Sequence, residues 1–254
     1  MTIPLLLIFG FGLMIGSFLN VCIARLPAGD SIVSPGSRCP SCRHPIRWFD
    51  NVPVLSYVWL GGRCRACRAP IGIRYPLVEV ATGLLFLIQA WWLPPDPLLL
   101  GHHLLFTALL VVLFGTDYDV QRLPDVITLP GIAAGILLSV VTGPAPVAAL
   151  RGALAVAGVR LLVRWAWKRA TGVDGMGLGD VKMLAMIGAF LGWRQVGVVL
   201  FLASLAGAAI GIGLTVAKRR SLQTRLPFGA FLALAAYVAS LWGDALLDWY
   251  LSLY

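Results

Sequence analysis

Two pairs of cysteines and two groups of aspartates have the spacing that chemistry requires in this 254-residue chain. Cys39-Pro-Ser-Cys42 and Cys64-Arg-Ala-Cys67 are CxxC knuckles separated by 21 residues. A two-residue gap lets both thiolates of a knuckle reach one ion, and two knuckles complete the four-thiolate tetrahedron that suits Zn²⁺. The expected zinc is structural, because no histidine or carboxylate replaces a cysteine to leave an open coordination position. A pair of redox-active dithiols and incidental cysteines are the competing readings. Arg38, Arg43, Arg63, Arg65 and Arg68 flank the knuckles and could offset the net negative charge of four thiolates on one zinc. His44 lies near the first knuckle, but four cysteines already saturate a site. Cys22, inside an apolar run, reads as packing.

The aspartates suggest different chemistry. Asp117, Asp119 and Asp125 fall in the short segment 115–125, and Asp180 closes Gly175-Met-Gly177-Leu-Gly179-Asp180. Close carboxylates repel, share a proton and titrate as a pair, which suits peptide hydrolysis without a metal. The residues alone do not separate Asp117 from Asp119. Asp125 follows Pro124 and reads as a helix start, and Asp180 has a helix N-cap as its plainer explanation. The alternating glycines let backbone approach a bound chain closely. They lack the strand–turn–helix context of a dinucleotide fingerprint. Glu79, the only glutamate, either caps a helix or belongs to a site at the membrane surface. Asp174 reads as solvated. Asp244 and Asp248 fall at the outer end, and His102 and His103 read as packing or interfacial.

The elements that must position these groups follow from composition. The chain is 59% hydrophobic and 12% charged, with a mean hydropathy of +0.87. So little polar surface cannot cover so apolar a core, which excludes a water-soluble domain and intrinsic disorder alike. A span needs roughly 20 apolar residues. The fold expected is an all-α polytopic membrane protein of about eight transmembrane helices, over 3–23, 77–93, 98–114, 126–142, 147–167, 181–193, 196–217 and 228–247. The sixth is short for a span. The first reads as retained, with no basic stretch before it and no small-residue cleavage site. Between helices 1 and 2 lies a small zinc-ribbon-like module. Domains are expected at 1–24 (first helix), 25–76 (four-cysteine module) and 77–254 (the remaining spans). Alternation of the spans places 18 of the 20 basic residues on one side, so the amino terminus is expected outside and the module in the cytoplasm. Cytoplasmic thiols stay reduced, in keeping with a metal rather than disulfides. No internal repeat or low-complexity tract is read.

Taken together these residues resemble the bacterial prepilin peptidases, bifunctional leader peptidase/N-methyltransferases of type IV pilus and type II secretion systems. The resemblance runs through Gly16-Ser-Phe-Leu-Asn-Val21, Arg25-Leu-Pro27, both knuckles, Asp50-Asn-Val-Pro53 and Arg74-Tyr-Pro-Leu-Val-Glu79. It continues through the Asp117 segment, the GxGD motif ending at Asp180, and Leu226-Pro-Phe-Gly229. It implies an aspartate dyad of Asp117 and Asp180, choosing Asp117 because it stands eight residues before Asp125. It implies cleavage of a short basic leader after glycine at the cytoplasmic face of the bacterial inner membrane. The new amino terminus would then be methylated from S-adenosylmethionine. The partners implied are a prepilin or pseudopilin and membrane lipid, with no nucleic acid. The intact module, with zinc on Cys39, Cys42, Cys64 and Cys67, favours the bifunctional form. Glu79 and the loop arginines are candidates for methyl-donor contacts. Lys182 matches a basic residue of the family, with a membrane-surface or substrate-carboxylate contact expected. Two alternatives are a proton- or cation-coupled transporter and a non-catalytic pilus or secretion assembly factor.

Overall fold

Apolar stretches of bilayer length form helices because a helix satisfies every backbone polar group within its own segment. The computed structural model describes residues 2–142, 177–216 and 227–253, with residues 147, 150, 151, 158 and 169 in addition. Its α-helices are α1 (Thr2–Arg25), α2 (Leu55–Trp59), α3 (Arg74–Trp92), α4 (Pro97–Val120), α5 (Asp125–Thr142), α6 (Leu178–Leu191), α7 (Trp193–Val216) and α8 (Phe228–Leu251). Six of these described helices, all but α2 and α6, are long and apolar enough to cross a membrane. The expected span over 147–167 lies outside the described residues. The expected span over 181–193 is the 14-residue α6, about 21 Å long at 1.5 Å per residue.

The chain forms two compact units, Met1–Leu100 and Gly101–Tyr254. In the first, α1 and α3 pack along a seam of small residues. A Cβ at Gly12 would sit 2.7 Å from the Gly83 Cα, and one at Gly16 would sit 2.7 Å from the Glu79 Cα. Gly12-x-x-x-Gly16 is thus the small-residue spacing that lets two helix backbones approach closely where lipid offers no hydrophobic drive. The span expected over 77–93 is α3, which packs on α1. Gly16→Ala should force the helices apart at a cost of about 1–3 kcal/mol, seen as a lower thermal midpoint of the purified protein in detergent. Gly10→Ala, whose added Cβ meets nothing within 4 Å, should leave that midpoint unchanged.

In the second unit α6 is the inner element. Val181 and Met183 through Phe190 are buried along it, so helix length is set by enclosure within protein rather than by the bilayer. Around it gather Phe106, Leu110 and Leu113 of α4, Val199 of α7, and Leu232 and Ala236 of α8. The Phe106 and Phe190 rings stack at 4.7 Å. On α5, Gly131 and Gly135 leave room for the Met186 and Phe190 side chains. His102 packs on the Phe190 ring and shares a hydrogen bond with Thr142, as the packing reading expected. Asp244 accepts a hydrogen bond from Gln195, and Cys22 is buried in α1.

Candidate active site

The Asp117 carboxylate is buried three residues before the end of α4. Its Oδ2 accepts the Ala230 backbone N–H at 2.9 Å, with the Gly229 N–H as a further donor. Both amides belong to the first turn of α8, where orphan N–H groups and the helix dipole favour a negative charge. Pro227 stands at the N-cap and has no side-chain hydrogen bond to give, so Asp117 caps α8 from another helix. This gives the 226–229 motif a structural role: Pro227 starts the helix and Gly229 admits the carboxylate. A Cβ at Gly229 would lie 2.9 Å from the Asp117 Cγ.

Asp180 is the third residue of α6 and partly buried. The N-cap position is Gly177, which makes no side-chain capping bond. The N-cap explanation for Asp180 is therefore corrected, although the carboxylate still enjoys the positive end of α6. Leu123, in the link between α4 and α5, joins the two places. Its Cδ1 lies 3.3 Å from a Cβ built at Gly179 and 3.2 Å from one built at Gly229. The first turns of α6 and α8, bearing Asp180 and holding Asp117, are thus one leucine side chain apart. Asp119 is exposed.

Asp125 opens α5, as its position after Pro124 suggested. Its carboxylate also accepts both contacts from Lys182 Nζ at 2.7 Å. Lys182 is therefore engaged within the protein rather than reserved for a lipid or a substrate carboxylate. With Asp125 57% exposed, the pair is worth about 0–1 kcal/mol and serves to register α5 against the GxGD turn.

In the first unit the four sulfurs of Cys39, Cys42, Cys64 and Cys67 lie within 4.8 Å of one another, and none is in a disulfide. The Cys39 and Cys67 sulfurs are 3.8 Å apart, the edge of a tetrahedron with Zn–S bonds of about 2.3 Å. The cysteines therefore fit one zinc. The backbone N–H groups of Cys42 and Ser41 pull the Cys39 thiol down to about 6. The Ala69 N–H draws Cys67 down too, but hydrogen bonding with the Cys42 sulfur, burial, and hydrogen bonding with the Cys64 and Cys39 sulfurs together take that thiol up to about 11. Four sulfurs this close ionise together only when a cation joins them.

The knuckles are copies of one another. Cys39 N–H donates to His44 O and Arg43 N–H to Cys39 O, as Cys64 N–H donates to Ala69 O and Arg68 N–H to Cys64 O. Arg43 and Arg68 share a positive φ of 57° and 59°. Arg38 bridges Pro45 as Arg63 bridges Pro70. The sequence carries this as Arg-Cys-x-x-Cys-Arg-x-Pro-Ile at 38–46 and again at 63–71, so the absence of a repeat is corrected. Arg65 clamps Asp50 through both carboxylate oxygens at 2.6–3.1 Å. That guanidinium holds Asp50 below the usual carboxylate range. Glu79, buried on α3, accepts the Val54 N–H at 2.8 Å; it caps no end of its own helix.

A many-span helical membrane protein with carboxylates at two helix starts in one unit and a four-thiol module in the other has the features of a polytopic membrane enzyme. The sequence comparisons narrow this. Residues 10–93 match the Bacterial Peptidase A24 N-terminal domain and residues 104–212 match the Type IV leader peptidase family. Relatives from several bacteria bear the name prepilin leader peptidase/N-methyltransferase. That of Aeromonas salmonicida is 43% identical over 97% of this chain and 93% of its own. That of Aeromonas hydrophila is 43% identical with the same coverage, and that of Pseudomonas aeruginosa is 40% identical over 94% and 91%. The chain belongs to the type IV leader peptidase family. No solved structure matches it.

Proposed function

We infer that this chain removes the leader from prepilins and N-methylates the amino terminus so exposed. The family and the names of the relatives support both activities, and neither a transporter nor a non-catalytic assembly factor finds support there. The reading assigns cleavage to Asp117 and Asp180. The observation that carries it is that the first turn of α6, which bears Asp180, and the first turn of α8, which holds Asp117, meet the same Leu123 side chain.

In the reaction proposed, the pair shares one proton. The ionised carboxylate takes a proton from water while the protonated one polarises the scissile carbonyl. The water oxygen bonds to that carbon, the C–N bond breaks, and the leaving amine receives a proton from the pair. The α8 amides fix Asp117 in place, so its geometry costs no reorganisation during the reaction. Gly229→Ala should displace this carboxylate. A misplacement of about 1 Å costs on the order of 100-fold, so leader cleavage should fall by roughly that factor. Gly197→Ala, whose Cβ meets nothing within 4 Å, should leave cleavage unchanged.

The second activity is assigned to the module at 25–76, held by one structural zinc on Cys39, Cys42, Cys64 and Cys67, with S-adenosylmethionine as donor. The peptidase is assigned to 77–254, and 1–24 to the first membrane helix. The distribution of basic residues supports an inner-membrane protein with its amino terminus outside and both activities facing the cytoplasm. The deciding experiment is mass spectrometry of a prepilin co-expressed with this protein. The expected product is cut after the leader glycine and carries one added methyl group. An uncut prepilin would overturn the reading.

A further inference from the structure

Beneath the two knuckles lies a cavity of about 500 Å³ bounded by α1, α2, α3 and the module. That volume falls within the range of small-molecule and cofactor sites. Glu79 lines it, 8% exposed, as do Ser17, Asn20, Tyr57 and Tyr75.

The floor is built with unusual care. Val54, which donates its N–H to Glu79 Oε2 at 2.8 Å, has φ 60° and ψ −50°. For a β-branched residue a positive φ is a true outlier, costing on the order of 1–3 kcal/mol and kept only where the surroundings enforce it. The strain aims one backbone donor at one carboxylate, and the Ser17 hydroxyl is a second partner of the same group. On the facing helix the Asn20 amide nitrogen donates to Gly16 O at 3.3 Å and Tyr75 O at 3.0 Å. Those bonds fix the amide and leave its oxygen as an acceptor at the cavity wall. Four arginines line the module side of the cavity; of these Arg25 donates to Ser31 O and Gly36 O, Arg47 lies over the Phe49 ring, and Arg65 is neutralised by Asp50, also of the lining. The helix side of the cavity, with Glu79, Ser17, Asn20, Tyr57 and Tyr75, thus presents acceptors and tyrosine rings, which suit cations. Both reactants of an amine methylation by a sulfonium donor are cations.

We propose that this cavity is the methyl-transfer chamber, with Glu79 receiving the new α-ammonium group of the cleaved substrate and taking its proton. The neutral amine then bonds to the methyl carbon of the sulfonium donor. The carbon–sulfur bond breaks, its electron pair stays on sulfur as a neutral thioether, and the product leaves as a methylammonium. Cys39 and Cys64 line the same cavity, which explains why methylation would need the module intact. The proposal rests on the methyltransferase reading given above.

The test uses the full-length protein in detergent, a peptide that already lacks its leader, and S-adenosylmethionine. Glu79→Gln keeps an oxygen to accept the Val54 N–H but not the basic carboxylate. It should lower methylation turnover by about 100-fold, with donor KM, zinc content and cleavage of an intact prepilin little changed. Glu79→Asp, which keeps a carboxylate, should recover part of that loss. If the wild-type protein methylates and Glu79→Gln matches it, the role of Glu79 is wrong while the methyltransferase reading stands. If Glu79→Gln loses cleavage as well, or Glu79→Asp is no better, the residue is structural and the proposal is overturned. If the wild-type protein itself transfers no methyl group, the reading and the proposal fall together.

Discussion

Asp117→Asn and Asp180→Asn should each reduce prepilin leader cleavage by about 1,000-fold or more, within the range ascribed to a positioned acid or base, while the amount of protein in the membrane should stay the same. The substitution is nearly isosteric, and an amide oxygen at 117 still accepts the Ala230 N–H that α8 donates at 2.9 Å. What is lost is the proton a carboxylate exchanges with water. Because the two groups act as a unit, the double variant should be scarcely slower than either single one. Asp119→Asn, two residues away and exposed, should cleave normally. Rates of leader removal from a purified prepilin in detergent decide the matter. A single variant that cleaves at the wild-type rate would remove its residue from the dyad.

The second large effect concerns the metal. The purified protein should hold about one zinc per chain, and Cys39→Ser/Cys64→Ser should hold none. Structural zinc contributes about 10–16 kcal/mol of apparent binding energy in small zinc domains. Within the described residues the module has short helical turns and isolated bridges but no sheet with which to replace it. Losing the ion should therefore loosen both knuckles and abolish methylation of a cleaved peptide. Leader cleavage should survive, since Asp117, Asp180 and the helices that hold them belong to the second compact unit. Zinc analysis together with separate cleavage and methylation assays reads this directly. Methylation and zinc content both persisting in the double variant would end the structural-zinc account.

Much of the site was legible because its signals are local. CxxC pairs announce a tetrahedral thiolate set at any distance, and the GxGD glycines mark an aspartate at a helix start. Two local signals were passed over although they lie in plain sequence. Gly12-x-x-x-Gly16 predicts the seam between α1 and α3. The repeated Arg-Cys-x-x-Cys-Arg-x-Pro-Ile predicts that both knuckles share one backbone path. Other contacts had no such signal. Lys182 meets Asp125 across 57 residues, and the Glu79 carboxylate meets a strained Val54 from 25 residues away. Nothing in either segment's composition names its partner.

The sequence by itself determined the class of fold, the four-cysteine set and the short list of aspartates. Each depends on hydropathy, on the reach of neighbouring side chains or on local turn chemistry. Only the tertiary structure decided how those parts are held. It made α6 an inner helix rather than an ordinary span, because packing against α4, α5, α7 and α8 buries it on nearly every side. It gave Asp117 rather than Asp119 the amides of α8. On a helix, residues two apart point in different directions, so one carboxylate enters the protein and the other faces out. That choice depends on where a helix beginning 111 residues after Asp117 comes to rest, a long-range fact that local spacing does not contain.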